Sequence, residues 1–382
     1  MMANRTTSTR TMSSGPAPSA NASEAPTFEE LAQAYFDCRR TKRNSASALA
    51  FEQHLERNLI ALYEDLVSGQ YCAGRSICFV VTKPKPREVW AADFRDRVVH
   101  HLLYNHVGHR IEQKFIADSC ACIPGRGTLY AGKRLEAKIR SVTQNWSHPA
   151  HYLKCDLANF FVSIDKRVLR WQLANLITEP WWWQLTEQVL MHDPRTNYEM
   201  RGPRHLINHV PEHKRLTNQP SHLGLPIGNL SSQFFANVYL NDLDQFVKHR
   251  LHARHYIRYV DDFILLHSDP EVLNKWHHKI ESFLPTLGAK LNPRKTVMQP
   301  VARGVDFVGH VIKPWRRTIR RKIVKEAIKR VSETPGEDLR NTANSYFGLL
   351  RQATHSHTDR AKLAREILRR NRSVNFELTK TY

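Results

Sequence analysis

The strongest constraint on the fold is a pair of adjacent aspartates placed between two strand-like runs. Residues 255–267 read HYIRYVDDFILLH, so β-branched, aromatic and aliphatic residues lie on both sides of Asp261 and Asp262. This pattern predicts a β-hairpin with the two aspartates at or beside its tip. A two-residue turn favours Asn-Gly or Asp-Gly, because glycine adopts positive φ without strain, so Asp-Asp is a poor choice for the turn alone.

The two carboxylates indicate a bound cation. At a separation of about 4 Å they repel by roughly 4 kcal/mol at an effective dielectric near 20. A folded protein that keeps both ionised usually supplies a cation, and Mg²⁺ favours carboxylate and phosphate oxygens. From this stretch alone, a solvated turn between two core strands is the alternative.

The charge of the chain predicts a polyanionic partner. The 382 residues include 57 Lys and Arg against 36 Asp and Glu, which gives a formal net charge of +21 spread through the chain. Such a balance is typical of proteins that bind nucleic acid. No apolar run reaches the roughly 18 residues of a transmembrane helix. The six cysteines form no C-x-x-C pair, as expected of reduced thiols in a cytoplasmic protein.

The rest of the chain alternates between helical and strand-like patterns. Residues 1–26 are rich in Ser, Thr, Ala and Pro, which predicts a disordered tail. Thr27 followed by Glu30 predicts a capping box at the first helix. Further helices are predicted at 94–103, 128–142, 234–250 and 271–287, strands at 77–81 and 152–157, and a second hairpin at 304–312. Residues 192–222 are predicted to form a long basic loop, and residues 313–330 to begin a basic helical region.

Several of these features occur in one order with compact spacing. Asp156 ends a strand, a glycine-rich turn precedes a helix, the Asp261-Asp262 hairpin follows, and then come a lysine after a turn and a Gly-x-x-Phe-x-Gly hairpin. This order resembles the palm of reverse transcriptases, whose Tyr-x-Asp-Asp signature is Tyr259–Asp262 here. The resemblance covers roughly residues 28–375.

The resemblance implies an α+β right-hand polymerase fold, with fingers, a palm that contains an antiparallel sheet, and a short helical thumb. The expected divisions are a tail at 1–26, an N-terminal and fingers region at 27–150, a palm with an interleaved fingers segment and motifs A to E at 151–312, and a basic helical thumb at 313–382.

The resemblance also implies two-metal chemistry by an RNA-directed DNA polymerase. Asp156 and Asp261 would hold two Mg²⁺ ions, with Mn²⁺ as a substitute, while Asp262 adjusts the field and the Leu157 carbonyl serves as a further ligand. Two ions about 4 Å apart activate the primer 3′-hydroxyl and stabilise the pyrophosphate leaving group in an in-line displacement. Lys295 matches the lysine proposed as general acid to the pyrophosphate.

Other positions match the nucleotide site of the family. Arg87, with Lys83 or Lys85, matches the basic fingers turn that grips the incoming triphosphate, and the sequence leaves the choice between the two lysines open. Phe161 matches the aromatic steric gate at the ribose 2′-position, which favours deoxynucleotides, and Phe160 is its competitor.

The stretch LPIGNLSSQ at 225–233 carries a narrower resemblance. Most retroviral and group II intron enzymes have Gln before the glycine and Pro at the end of this motif, whereas this chain has Ile227 before Gly228 and ends with Gln233. This form resembles reverse transcriptases of diversity-generating retroelements, as do residues 94–100 and the overall size. In that family the enzyme copies a template-repeat RNA with errors concentrated at adenines, and the cDNA replaces a variable repeat in a target gene.

The narrower resemblance implies partners as well as a site. The partners are the template RNA, a DNA or cDNA primer, dNTPs and a small basic accessory variability protein, with no membrane. The apolar Ile227 beside the nascent base pair cannot make the hydrogen bonds of a glutamine, which gives a physical reason for a less strict check of base-pair geometry.

Three alternative functions remain. One is another bacterial reverse transcriptase of the antiphage-defence, abortive-infection or retron-like kind. An RNA-directed RNA polymerase shares the palm, but Phe161 favours deoxynucleotides. A noncatalytic RNA-binding scaffold would not need the intact Asp156, Asp261 and Asp262.

Overall fold

The computed structural model of the chain describes residues 25–41, 45–83 and 85–382. The predicted tail lies outside these residues except for its last two positions. The first helix begins with the predicted capping box: the Thr27 N–H donates to the Glu30 carboxylate at 2.9 Å, and the Glu30 N–H donates to Thr27 Oγ1 at 3.2 Å. Within the described ranges, none of the helices combines the length and the apolar character needed to cross a membrane.

The N-terminal part is helical and leads into a small sheet. The predicted strand at 77–81 and the predicted helices at 94–103 and 128–142 are confirmed. A π-helical turn, Tyr104–Gly108, joins the helix α4 (Phe94–Leu103) to the short helix α5 (His109–Glu112). The elements are α1 (Phe28–Thr41), α2 (Ala46–Glu52), α3 (Leu55–Val67), β1 (Ser76–Val81), β2 (Arg87–Ala91), α4 (Phe94–Leu103), α5 (His109–Glu112) and α6 (Thr128–Val142).

The first sheet has the strand order β2-β1-β4, in which β4 (Tyr198–Met200) runs parallel to β1. This strand lies inside the stretch predicted as an irregular loop, and that prediction is wrong at this point. Three residues are too short to show an alternating pattern, so only the pairing partner reveals the strand. The remainder of 192–222 is irregular apart from short 3₁₀ turns at Arg204–His209, Glu212–Lys214 and Leu216–Asn218.

The central sheet carries the aspartate hairpin. Its strands are β3 (His151–Asp156), β5 (Tyr256–Tyr259), β6 (Asp262–His267) and β7 (Val297–Pro300), in the antiparallel order β5-β6-β3-β7. Tyr259 pairs with Asp262, so Val260 and Asp261 form a two-residue turn. The predicted hairpin with the aspartates at its tip is confirmed.

Both faces of the central sheet are covered. Phe263 and Leu265 of β6 belong to the main core, while the alternate residues Ile264 and Leu266 belong to a second core. Helix α11 (Pro270–Phe283) packs on β3 and β6, and α6 packs on β5 and β6. The helices after β3 are α7 (Phe160–Ser163), α8 (Lys166–Ala174), α9 (Pro180–Met191), α10 (Leu230–Gln245) and α11 (Pro270–Phe283). Helix α10 begins four residues before the predicted start, so Gln233 lies in its first turn.

The C-terminal part contains a third sheet and three helices. Strands β8 (Val305–Phe307) and β9 (His310–Lys313) confirm the predicted hairpin, and β10 (Arg316–Ile319) adds a third antiparallel strand. The predicted helix from 313 is therefore wrong as far as residue 320, because Pro314 and Trp315 form a turn between β9 and β10. The helices are α12 (Arg321–Glu333), α13 (Gly336–Leu350) and α14 (His357–Arg369), which share a separate apolar core.

Candidate active site

Three carboxylates meet at one end of the central sheet. Asp156 is the last residue of β3 and pairs with Asp262, the first residue of β6. Asp261 lies in the adjoining turn, and its carbonyl oxygen accepts the Leu157 N–H at 3.2 Å. The sheet register therefore brings together residues that are far apart in the sequence, as the resemblance implied.

The turn that carries Asp261 has an unusual backbone. Val260 has a φ of +55°, in the left-handed region that β-branched residues rarely occupy. Glycine would adopt this conformation without strain. Local sequence preference alone therefore does not explain this turn.

Two lysines lie close to the carboxylates. Lys295 Nζ is 2.6 Å from both carboxylate oxygens of Asp156, and its side chain is 46% exposed, which leaves it room to reorient. Asn292, three residues before it, donates its backbone N–H to the Asp156 carbonyl at 2.8 Å. Lys154 Nζ lies 4.0 Å from Asp262 Oδ2. The cations offset part of the repulsion among the carboxylates.

Asp261 and Asp262 have raised pKa values despite these lysines. Burial, and then the neighbouring charges of Asp156 and Asp262, raise the pKa of Asp261 to about 6. Burial also raises the pKa of Asp262, although Lys154 opposes the shift. A nearby multivalent cation would stabilise the ionised form of these two carboxylates.

The donor set fits divalent metal ions. All the candidate ligands are oxygen atoms, as Mg²⁺ and Mn²⁺ favour: the carboxylates of Asp156, Asp261 and Asp262, and the carbonyl of Leu157. Leu157 is 2% exposed, and its carbonyl oxygen accepts no hydrogen bond from any residue in the described ranges. A buried carbonyl without a donor is suited to act as a metal ligand.

A cavity of about 400 Å³ opens beside the carboxylates. Nine of the residues predicted from the sequence line it: Lys85, Arg87, Asp156, Leu157, Phe161, Ile227, Asp261, Asp262 and Lys295. Lys83, Gly228 and Gln233 are not among the lining residues. Between the two lysines that the sequence left open, Lys85 is the one at the cavity.

The neighbouring phenylalanines differ in their surroundings. Both rings border the cavity and lie 5.4 Å apart edge to face. Phe160 is only 3% exposed and belongs to the main core, whereas Phe161 is partly exposed. A side chain that discriminates between sugars has to reach the ligand, so this geometry favours Phe161 over Phe160.

The Ile-Gly segment is attached to the first sheet. The Ile227 carbonyl accepts the Trp90 N–H of β2 at 2.7 Å. Gly228 has a φ of +133°, and a Cβ there would lie 2.9 Å from the Trp90 carbonyl oxygen. Close packing on β2 therefore explains this glycine. Gln233 is exposed on α10, away from the cavity lining.

Three cavity residues come from the irregular stretch and were not predicted from the sequence: Val210, Lys214 and Leu216. Leu216 is held in place by Glu88 of β2, a residue only 4% exposed. Glu88 accepts the Leu216 N–H at 2.6 Å and the Thr217 hydroxyl at 3.0 Å. The stretch thus adds a lysine to the cavity that already contains Lys85 and Arg87.

An antiparallel sheet that presents three carboxylates to such a cavity, with a further sheet before it and helices after it, is the palm of a right-hand polymerase. The predicted α+β class is confirmed. Residues 83–312, well over half of the chain, match the family described as "Reverse transcriptase (RNA-dependent DNA polymerase)". The chain belongs to the reverse transcriptase family.

Solved structures of telomerases are similar to the chain at low identity. An apo telomerase from Candida tropicalis, truncated from its C-terminal domain, is 14% identical, with a TM-score of 0.48 over 64% of this chain and 55% of that one. Telomerase from Candida albicans, in complex with the TWJ fragment of telomeric RNA, is 14% identical, with a TM-score of 0.43 over 77% of this chain and 55% of that one. The chain spans about half the length of each. No curated protein matches the sequence significantly.

Proposed function

We propose that the protein is an RNA-directed DNA polymerase that works by two-metal nucleotidyl transfer. The supporting observation is the convergence of Asp156, Asp261 and Asp262 on one end of the central sheet, beside a cavity lined by cations. Its substrates are dNTPs, a template RNA and a DNA or cDNA primer, and the net charge of +21 suits these polyanions.

Each residue of the site has a distinct role in this proposal. Asp156, Asp261 and the Leu157 carbonyl hold two divalent ions, Mg²⁺ or Mn²⁺, and Asp262 contributes negative charge beside them. When bound, the ions supply charge neutralisation for the attacking and leaving oxygens.

The cations and the aromatic ring act on the nucleotide. Lys85 and Arg87 bind the triphosphate, with Lys83 close by in the sequence. Lys295 reorients from Asp156 to give a proton to the pyrophosphate. Phe161 lies where a 2′-hydroxyl would project and excludes ribonucleotides.

Primer extension tests the proposal. Purified protein, an RNA template with an annealed DNA primer, dNTPs and Mg²⁺ are expected to give full-length cDNA. Asp261→Asn should abolish extension, because it removes one charge from the metal site, while the matched change Asp338→Asn on the exposed start of α13 should leave it intact. Extension that persisted in Asp261→Asn would overturn the two-metal assignment.

The narrower proposal is that the enzyme serves a diversity-generating retroelement. It then copies a template-repeat RNA into adenine-mutagenised cDNA, together with a small basic accessory protein. Support comes from the Ile-Gly-x-x-x-Ser-Gln motif and from the position of Ile227 at the cavity beside the carboxylates. Gly228 and Gln233 carry the family motif without contacting that cavity, so Ile227 is the residue of the three that acts on the base pair.

Fidelity measurements test the narrower proposal. Ile227→Gln should lower misincorporation opposite template adenines, because glutamine restores polar contacts, whereas Ile227→Leu should keep it. An unchanged error rate in Ile227→Gln would remove this role from Ile227. A near-duplicate repeat in the flanking DNA that differs mainly at adenines would separate this element from defence-type reverse transcriptases, which need no such repeat.

A further inference from the structure

A completely buried ion pair lies next to the turn formed by Val260 and Asp261. Arg258 of β5 and Asp244 of α10 are both 0% exposed in their side chains. Arg258 Nε and Nη2 donate to the two carboxylate oxygens of Asp244 at 2.8 and 2.7 Å. Such a bidentate contact fixes the orientation of the guanidinium plane.

The remaining donors of Arg258 are also used. Nη2 donates to the Ser119 hydroxyl at 3.0 Å, and Nη1 donates to the Asn237 side-chain oxygen at 3.3 Å. Nη1 donates in addition to the backbone carbonyl of Val260 at 3.1 Å. All five N–H groups of the guanidinium therefore have acceptors.

The contact with Val260 connects this pair to the catalytic site. Val260 is the turn residue in the left-handed region, and it directly precedes Asp261. A strained backbone persists only where the surrounding structure holds it. The Arg258 side chain holds this strained residue through its hydrogen bond to the Val260 carbonyl.

The network is anchored on α10 and on the loop before α6. Asn237 and Asp244 lie two turns apart on α10, and the Arg258 backbone bonds to the loop before α6 through the Asp118 carbonyl and the Cys120 N–H, both at 2.9 Å. Helix α10 begins three residues after Ile227, which lies at the wall of the cavity. The guanidinium thus links this wall to the turn that carries Asp261.

We propose that Arg258, oriented by Asp244, is a positioning residue for the polymerase reaction. Its hydrogen bond to the Val260 carbonyl holds the turn in the conformation that presents Asp261 beside Asp156 and Asp262. This role rests on the proposed function, because it concerns the placement of the metal ligands. Arg258 itself touches neither substrate nor metal.

An apolar replacement separates positioning from stability. A buried ion pair can often be exchanged for apolar side chains of similar volume without loss of stability, whereas removal of one partner strands a buried charge. The test variant therefore combines Arg258→Met and Asp244→Leu with Tyr256→Phe, since the Tyr256 hydroxyl donates to Asp244 at 2.7 Å. A matched control replaces the pair Arg317 and Glu136, which joins β10 to α6 away from the turn, by Met and Leu.

The expected result is a folded protein with a poorly placed Asp261. Its melting temperature and its affinity for template RNA should match the wild type, whereas kcat for dNTP addition should fall by about tenfold to a hundredfold, as for a small misplacement of catalytic groups. Half-saturation with Mg²⁺ should shift to higher concentration. The control pair should change neither kcat nor the Mg²⁺ dependence.

A milder variant covers the case in which the triple replacement fails to fold. Arg258→Lys keeps the charge against Asp244 but loses the planar fork that also reaches Val260, so it too should lower kcat and weaken the Mg²⁺ response. Wild-type kcat and Mg²⁺ dependence in a folded variant of either kind would refute the positioning role. An inactive wild-type protein would instead count against the proposed function.

Discussion

Replacing Asp261 by asparagine is expected to stabilise the metal-free protein near neutral pH. Burial, together with the nearby Asp156 and Asp262, raises the pKa of this carboxyl from 3.8 to about 6. An acid whose pKa is higher in the folded state binds its proton more tightly there, so ionising it costs folding free energy. Asparagine keeps the shape and removes the charge, and its amide can donate to the neighbouring carboxylates.

The size and the pH range of the effect follow from the two pKa values. The difference between 3.8 and about 6 corresponds to about 3 kcal/mol. Because the carboxyl is only partly buried, solvent screening reduces this to roughly 1 to 2 kcal/mol. Below the lower pKa both states hold the proton and no cost exists. The cost develops as the pH rises from 3.8 towards 6 and is complete above that value.

Urea unfolding with a chelator present measures the effect. Asp261→Asn should be more stable than the wild type at about pH 8, and the gap should nearly close at about pH 4. Added Mg²⁺ should stabilise the wild type by mass action and narrow the gap at the higher pH. The control Asp338→Asn should show no such gap. An Asn variant no more stable than the wild type at high pH, or a gap independent of pH, would refute the reasoning.

Two further variants test the cavity, and a third tests the packing of Gly228 on β2. Phe161→Ala should raise kcat/KM for ribonucleotides relative to deoxynucleotides, and an unchanged ratio would remove Phe161 from sugar selection. Lys214→Ala should raise KM for dNTPs by about threefold to tenfold, because one charged contact to the triphosphate is lost. The control His213→Ala should leave KM unchanged, and a wild-type KM in Lys214→Ala would exclude Lys214 from nucleotide binding. Gly228→Ala should lower the free energy of unfolding in urea by about 1 to 3 kcal/mol. The alanine Cβ would lie 2.9 Å from the Trp90 carbonyl oxygen, at a φ of +133°. Wild-type stability would contradict this close packing on β2.

The sequence predicted those parts of the fold that have long, regular patterns. The capping box at Thr27, the helix at 128–142 and the aspartate hairpin all have local signals strong enough to identify them. The short strands β4 and β10 have three and four residues, and they form only because a partner strand offers its edge. No local pattern can reveal an element whose stability comes from a distant partner.

In the candidate site too, contacts between residues that are distant in the sequence could not be predicted from local patterns. The convergence of Asp156 with Asp261 followed from the order of motifs and not from any local feature. The stretch that brings Lys214 to the cavity is bound at Leu216 and Thr217 by Glu88, which lies more than one hundred residues earlier, and no pattern in the loop indicates this contact. The resemblance placed Gly228 at the nucleotide site, and only the distance to β2 shows that close packing requires a glycine there. Arg258 did leave a signal, since an arginine within an apolar strand requires a buried partner.

The sequence of the aspartate hairpin is unfavourable for a tight turn, and in the structure both turn residues, Val260 and Asp261, are unfavourable in their positions. Val260 is β-branched in the left-handed region, and Asp261 has a carboxyl whose ionisation is opposed by burial and by Asp156. Neither residue stabilises the turn locally, so the rest of the fold has to hold it: Leu157 through its N–H, and Arg258 through the Val260 carbonyl. Strain of this kind, opposed by a buried network, is expected where charge must be presented to a ligand and not merely solvated. The features that make residues 260–262 unfavourable as a turn are therefore the ones that suit them to the metal site we propose.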